Sequence, residues 1–154
     1  MIRRTNGFSL HELMVIIGIM AIMAAIAMPN LIGWLPKYRL STAAREMMGA
    51  MEQARLTAIR RSADVVVALD YAANSYRMSL DGGTVKAATL PAGVDLKEPA
   101  SGSLGSGFRF NSQGMPVDAS GNATAGRVVL AAGERVPEKS IRVNAGGHVR
   151  IQAE

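Results

Sequence analysis

The sequence contains no cysteine and only two histidines, His11 and His148. The lack of cysteine excludes a disulfide framework and a thiolate metal site, and two histidines far apart in sequence supply too few ligands for a histidine-based one. No phosphate-binding loop, dinucleotide fingerprint or nucleophile elbow occurs in the chain. We therefore expect a protein that is not an enzyme and that carries no metal site and no cofactor.

Aromatic residues are also scarce, at 5% of the chain, whereas glycine occurs 16 times. This composition is typical of short strands joined by many turns. The formal net charge is +5, but Arg3 and Arg4 contribute two of these charges, so the chain without them carries +3. Such a mild basic bias is weak evidence for a nucleic-acid partner by itself.

Charge is absent from Leu13 to Met28, where every residue is apolar or glycine. With Phe8 to Leu10 the apolar run reaches about 20 residues, which is enough to span a bilayer as a helix. Arg3 and Arg4 precede the run, so the positive-inside bias places the N-terminus in the cytoplasm. The chain after Pro29 is then expected on the far side of the membrane.

A carboxylate at Glu12 stands at the start of this apolar run. An acidic residue in the middle of a spanning helix costs roughly 2.5–3.5 kcal/mol, and less near an end. Within this segment no lysine or arginine is placed to pair with it. Cleavage just before Phe8 would create an α-amino group, which supplies the missing cation on the same chain or on a neighbouring copy.

The stretch Gly7-Phe8-Ser9-Leu10-His11-Glu12-Leu13 behind a short basic leader resembles the class III signal of type IV pilins and type II secretion pseudopilins. The resemblance implies that a prepilin peptidase cuts between Gly7 and Phe8 and N-methylates Phe8. Glu12 matches the family glutamate that pairs with the N-terminal amine of an adjacent subunit during assembly. Pro29 matches the proline that kinks the family's long helix, whereas His11 stands where the family more often has an aliphatic residue.

An ordinary secretory signal peptide is the alternative for this segment. Ala25-Ile26-Ala27 offers a small-x-small cleavage site, and cleavage there would release a soluble protein that begins at Met28. Against it, the apolar run exceeds the usual length of roughly 7–15 residues. The helical pattern also continues beyond the site, and a signal peptide has no use for Glu12.

Beyond Pro36 the sequence reads as a strong amphipathic helix. Its apolar positions recur at alternating spacings of four and three residues, which builds one stripe that requires a sheet against it. The stripe comprises Leu40, Ala44, Met47, Met51, Ala54 and Ala58.

From Asp64 the pattern changes to short strands separated by turns, with loops over 91–107 and 111–126. The strands are predicted at Val65–Leu69, Tyr76–Leu80, Thr84–Leu90, Phe108–Phe110, Arg127–Ala132, Ser140–Asn144 and His148–Gln152, with Gly146-Gly147 at the turn of a terminal hairpin.

One long helix followed by short strands predicts an α+β, pilin-like fold. A long kinked N-terminal helix would provide a transmembrane stalk with its first half and pack its amphipathic half on an antiparallel β-sheet. The predicted domains are a cleaved leader peptide at 1–7, a transmembrane and assembly helix at 8–35, and a periplasmic globular pilin domain at 36–154.

The region after the membrane segment resembles the FimT/GspH group of minor pilins and pseudopilins. The resemblance rests on the stretches 54–61, 108–114, 141–144 and 147–150 in their order and spacing. It implies a minor type IV pilin that resides in the bacterial inner membrane after processing. Such a subunit then joins other pilins at or near the tip of a pilus and helps to initiate assembly. The corresponding pseudopilin of a type II secretion system is the alternative, which neighbouring genes would distinguish.

The FimT branch includes proteins that bind double-stranded DNA for natural transformation, using a C-terminal Gly-Arg-x-Arg element. The matching stretch here is Gly147-His148-Val149-Arg150, so a histidine replaces the first arginine. A neutral imidazole adds little attraction for phosphate near pH 7. Candidate DNA-binding residues are Gly147, His148, Arg150 and Arg142, to which Arg127, Arg135 and Lys139 would add and which Glu134, Glu138 and Glu154 would dilute. The alternative is that these charges solvate a sheet edge and protect it from aggregation.

Overall fold

The computed structural model describes residues 8–98, 104–118, 120–134 and 136–153, and for residues 29–31 and 153 the backbone alone. Gly7 and the rest of the predicted leader, together with Arg135 and Glu154, lie outside the described residues. The chain divides into two compact units, with the boundary between Leu35 and Pro36.

A single long helix, α1, extends from Leu10 to Arg61 over 52 residues. The backbone remains helical at both Pro29 and Pro36, as the sequence analysis allowed. A kink at Pro29 stays a prediction. Within the first unit, Leu10–Met28 has a mean hydropathy of 2.2, and none of its residues is buried. By length and composition this segment can cross a membrane, because its 19 residues rise about 28 Å along a helix.

In the second unit, the predicted apolar stripe of α1 is confirmed. Its six members, Leu40, Ala44, Met47, Met51, Ala54 and Ala58, are at most 2% exposed. They share one hydrophobic core with side chains from both sheets. Burying a side chain of methionine or leucine size stabilises the fold by about 1.5–3 kcal/mol, so this stripe is a main attachment of the helix to the sheets.

The strands form two antiparallel sheets in the second unit. In chain order they are β1 (Val65–Asp70), β2 (Ser75–Leu80), β3 (Gly83–Thr89), β4 (Asp95–Lys97), β5 (Gly107–Phe110), β6 (Pro116–Val117), β7 (Gly126–Ala131), β8 (Lys139–Val143) and β9 (Val149–Ala153). The first sheet has the order β3-β2-β1-β5-β6 and the second the order β4-β7-β8-β9. The predicted α+β class, with a long helix packed on antiparallel strands, is confirmed.

The sequence prediction was wrong in two details of the sheets. It expected one sheet, and it assigned loops over 91–107 and 111–126, where β4 and β6 lie. These strands have three and two residues, which is too short for an alternating pattern to be recognised. Each is defined by its partner, because β4 pairs with β7 and β6 pairs with β5.

Three turns of the second unit have the same construction. They span Asn111–Gly114, Asp118–Gly121 and Asn144–Gly147, and the first residue of each accepts a hydrogen bond through its side-chain Oδ1 from the amide four positions later, at 2.9, 2.9 and 2.8 Å. The glycine that closes each turn has a positive φ of +75°, +86° or +78°. A tight turn that ends on a left-handed glycine commonly joins antiparallel strands. The predicted terminal hairpin is therefore present, and Gly147 supplies its left-handed residue.

Candidate assembly and nucleic-acid interfaces

The predicted assembly residues lie at the N-terminal end of α1. The amide of Leu13 donates to the carbonyl oxygen of Ser9 at 3.1 Å, so helical hydrogen bonding begins at Ser9. Glu12 lies in the first helical turn, and Phe8 just before it is 76% exposed. The structure thus places Phe8 and Glu12 at the same end of the helix. Pairing between Glu12 and an N-terminal amine stays a prediction.

Glu12 also has a local reason for its position. Ser9 and Glu12 have the Ser-x-x-Glu spacing of a capping box, in which the acidic residue occupies the third helical position. A carboxylate in the first turn is favoured by the helix dipole by about 0.3–1 kcal/mol. Helix capping and subunit pairing therefore predict different consequences when this residue changes, and a substitution can separate them.

The second candidate interface is a row of three arginines across the second sheet. Arg142 of β8 lies directly opposite Arg127 of β7 and, on its other side, Arg150 of β9. Directly opposed residues of antiparallel strands point to the same face, with Cβ atoms roughly 4.5–5.5 Å apart. Arg142 and Arg150 are exposed, and Arg127 is half-buried. These three residues are called the arginine row below.

The direct cross-strand opposition of the three arginines does not favour the sheet. Like charges directly opposite each other on neighbouring strands destabilise a sheet. The core face of the same strands is apolar, since Val128, Ile141 and Val143 are at most 1% exposed. The register that buries these residues therefore also brings the arginines together on the opposite face. The row concentrates positive charge in a way that suits an anionic partner.

Other charged residues named from the sequence lie elsewhere. Lys139 lies three positions before Arg142 on β8, so strand alternation places it on the opposite, core-facing side of the sheet. There its Nζ donates to Ser41 Oγ of α1 at 3.1 Å. The expectation that Lys139 adds to the patch is therefore wrong. Glu138 forms an ion pair with Lys97 at 2.6 Å, and the hydrogen bond between them raises the pKa of Lys97. Glu138 is thus engaged with β4 and is not set against the arginine row.

His148 lies immediately before β9. Its amide donates to Asn144 Oδ1 at 2.8 Å, its carbonyl accepts from the Asn144 amide at 3.1 Å, and its side chain is exposed. Strand alternation places His148 on the same face as Arg150, two residues away. Within the part of the chain that the structure describes, no group of three or more histidine, aspartate and glutamate residues gathers to hold a metal ion.

Gly147 lies at a junction of three elements. A Cβ built at this position would be 2.1 Å from the Gly114 carbonyl oxygen and 2.9 Å from Arg55 Nε. Arg55 Nε in turn donates to the Gly114 carbonyl at 3.1 Å. The Arg55 side chain of α1, the turn before β6 and the turn before β9 therefore meet at Gly147.

The structure explains Gly147 by packing and turn geometry, and a role of this residue in DNA binding stays a prediction. The contributions of Arg55 and Gly114 to this junction were not predicted from the sequence. The available signal was the repeated spacing of an asparagine or aspartate and a glycine three residues later.

Comparison with known proteins identifies the family. The family model described as Type II transport protein GspH matches residues 43–147. The fold is similar to that of the type IV minor pilin FimU of Pseudomonas aeruginosa, with a TM-score of 0.57 and 16% identity over 75% of this chain and 87% of that chain. It is also similar to that of the minor pseudopilin EpsH from the type 2 secretion system of Vibrio cholerae, with a TM-score of 0.54 and 17% identity over 75% of this chain and 97% of that chain. No curated protein matches the chain.

Proposed function

Because the chain belongs to the GspH family of type II transport proteins and has the fold of minor pilins and pseudopilins, we propose that it is a minor type IV pilin. In this proposal the protein waits in the inner membrane and then enters a pilus at or near the tip, where it helps to initiate assembly. The observation that carries the proposal is the difference in burial between the two parts of α1. The apolar stripe of its later part is buried in the globular unit, whereas Leu10–Met28 exposes apolar side chains that require lipid or neighbouring helices.

The proposal includes processing of the N-terminal segment. Prepilin peptidase removes residues 1–7, with the N-terminus cytoplasmic and the globular unit periplasmic, and N-methylates Phe8. The new amine at Phe8 pairs with Glu12 of an adjacent subunit. The protein is then a structural subunit and a substrate of an enzyme, which agrees with a family and fold of filament proteins.

Mass spectrometry of the mature N-terminus tests the processing step. We expect a chain that starts at N-methylated Phe8 in the membrane fraction, because cleavage there leaves the apolar helix attached. A strain that lacks the prepilin peptidase should retain the residues before Phe8. A mature chain that starts at Met28 would instead establish cleavage by a secretory signal peptidase and overturn the proposal.

The machine that uses this subunit is tested by deletion of its gene. Loss of surface pili with normal secretion of extracellular enzymes supports the pilus, because an initiating subunit is needed before a filament can grow. Loss of secretion with normal piliation supports the alternative, a minor pseudopilin of a type II secretion system.

DNA binding for uptake in natural transformation is a second candidate function, which the arginine row favours. Guanidinium groups in a row can contact successive phosphate oxygens, and such contacts do not distinguish one base sequence from another. The exposed neighbours of Arg150 on this face are Gln152 and, just before the strand, His148, whereas Ser140 beside Arg142 is buried. Gln152 cannot stack on a base, and a single imidazole offers no continuous stacking platform, so recognition would rest mainly on the phosphates of double-stranded DNA.

Alanine substitutions in the arginine row test this function. We expect Arg142→Ala and Arg150→Ala each to weaken binding of residues 36–154 to duplex DNA severalfold and to reduce the slope against log salt by about 1, since each removes one phosphate contact. Arg77→Ala is the matched control, because Arg77 is also exposed but lies on β2 of the other sheet. An equal loss in the control, or no binding at low salt, contradicts the proposal.

A further inference from the structure

The sole tryptophan of the chain, Trp34, lies six residues after the apolar segment Leu10–Met28. We propose that Trp34 binds the headgroup layer of the membrane leaflet opposite Glu12 and thereby fixes the depth of the helix. The inference rests on the proposed membrane residence and adds to it a specific lipid-contacting residue.

The spacing along α1 supports this placement. Because a carboxylate is least costly at the edge of the hydrocarbon, Glu12 defines one boundary of the buried segment. Trp34 lies 22 positions after Glu12, which corresponds to a rise of about 33 Å along a helix. A tilt of about 20° reduces this rise to about 31 Å. The hydrocarbon core is about 30 Å thick, so Trp34 reaches the opposite boundary when Glu12 occupies the first.

The exposure and chemistry of the neighbouring residues point to the same layer. Trp34 is 54% exposed, and the nearby Ile32 and Leu35 are 71% and 40% exposed. An indole ring has a large apolar body and one N–H donor, so it is favoured where hydrocarbon meets hydrated headgroups. Ile32 would lie on the hydrocarbon side of this boundary.

The proposal has a consequence for processing and assembly. Two groups that both favour the edge of the hydrocarbon, the Glu12 carboxylate and the Trp34 indole, would hold the two ends of one membrane segment. Because Phe8 precedes Glu12, a fixed depth would keep Phe8 outside the hydrocarbon on the Glu12 side. Trp34 would then act on assembly indirectly, by positioning the residues that the peptidase and neighbouring subunits contact.

Intrinsic fluorescence tests the depth of Trp34 directly, since no other tryptophan contributes. The full-length protein is reconstituted into vesicles of phosphatidylethanolamine and phosphatidylglycerol that contain lipids brominated near the headgroup or near the end of the acyl chain. We expect quenching by the shallow bromines to exceed quenching by the deep bromines severalfold. Flotation of the same vesicles establishes whether the protein is membrane-bound.

Two relocated tryptophans calibrate the measurement. Trp34→Phe combined with Ile22→Trp places the probe within the span, where deep bromines should dominate. Trp34→Phe combined with Leu56→Trp places it on an exposed helix position of the globular unit, where neither lipid should quench. If the protein floats but Trp34 behaves like either relocated probe, the inference is overturned while membrane anchoring stands. If the protein does not float, the inference and the proposed anchoring both fail.

Discussion

Replacement of Glu12 by alanine is expected to give a protein that is processed and membrane-inserted but nearly absent from sheared filaments. Loss of one partner from a buried ion pair leaves the other charge uncompensated and costs about 3–5 kcal/mol. At about 1.4 kcal/mol per factor of ten, this corresponds to a decrease in subunit docking of roughly two to four orders of magnitude. Insertion should not suffer, because an alanine enters the hydrocarbon more readily than a carboxylate does.

The capping role of Glu12 requires a second substitution to distinguish it from pairing. Glu12→Gln preserves a side chain that can close the capping box with Ser9 but removes the charge. If pairing with the Phe8 amine governs assembly, the glutamine and alanine variants should fail alike. If helix capping governs it, the glutamine variant should assemble almost normally, and the pairing hypothesis would be wrong.

The measurement compares the amount of each variant in sheared filaments with the amount in membranes, and mass spectrometry verifies the mature N-terminus. Glu52→Ala is the matched control, since Glu52 is an exposed glutamate of the same helix within the globular unit. We expect it to assemble at the wild-type level. A comparable loss in this control would show that assembly responds to helix charge in general.

The helix was predictable because its signals are local. Residues three and four apart in sequence are neighbours on the helix surface, so the stripe from Leu40 to Ala58 could be read from spacing alone. The number of sheets was not predictable in this way. In the first sheet β1 pairs with β5, whose residues are about forty positions distant, and this pairing depends on the packing of the whole unit.

The arginine row was only partly predictable from the sequence. The pairing of Arg142 with Arg150 follows from symmetry about the turn at Asn144–Gly147, which the sequence analysis located through Gly146-Gly147. The addition of Arg127 required the register between β7 and β8, which are joined by the longer connection 132–138. The predicted strand begins at Ser140 and leaves Lys139 outside it; because β8 begins at Lys139, alternation puts this residue on the face opposite Arg142.

Gly147→Ala is expected to destabilise the globular unit by about 3 kcal/mol or more, the second large effect. An alanine at a φ of +78° carries a backbone strain of order 1–3 kcal/mol. Its Cβ would also overlap the Gly114 carbonyl oxygen at 2.1 Å, so the two turns must separate. Urea denaturation of residues 36–154, monitored by circular dichroism, measures the free energy of unfolding.

Gly82→Ala is the matched control for backbone strain alone. Gly82 has nearly the same φ, +79°, and no atom of the described residues lies within 4 Å of the Cβ position. We expect this variant to lose about 1 kcal/mol. If both glycine variants lose the same free energy of unfolding, the contact between the turns contributes nothing and the proposed junction is wrong.

A double-mutant cycle with Arg55→Ala then separates the two contacts at Gly147. Arg55→Ala alone removes the hydrogen bond to Gly114 and should cost about 1 kcal/mol. It also relieves the 2.9 Å approach of Nε to the new Cβ, but the overlap with the Gly114 carbonyl remains. The coupling energy should therefore be small compared with the cost of Gly147→Ala itself. Since the displaced turn leads directly into β9, DNA binding through Arg150 should also weaken in Gly147→Ala under conditions where the domain remains folded.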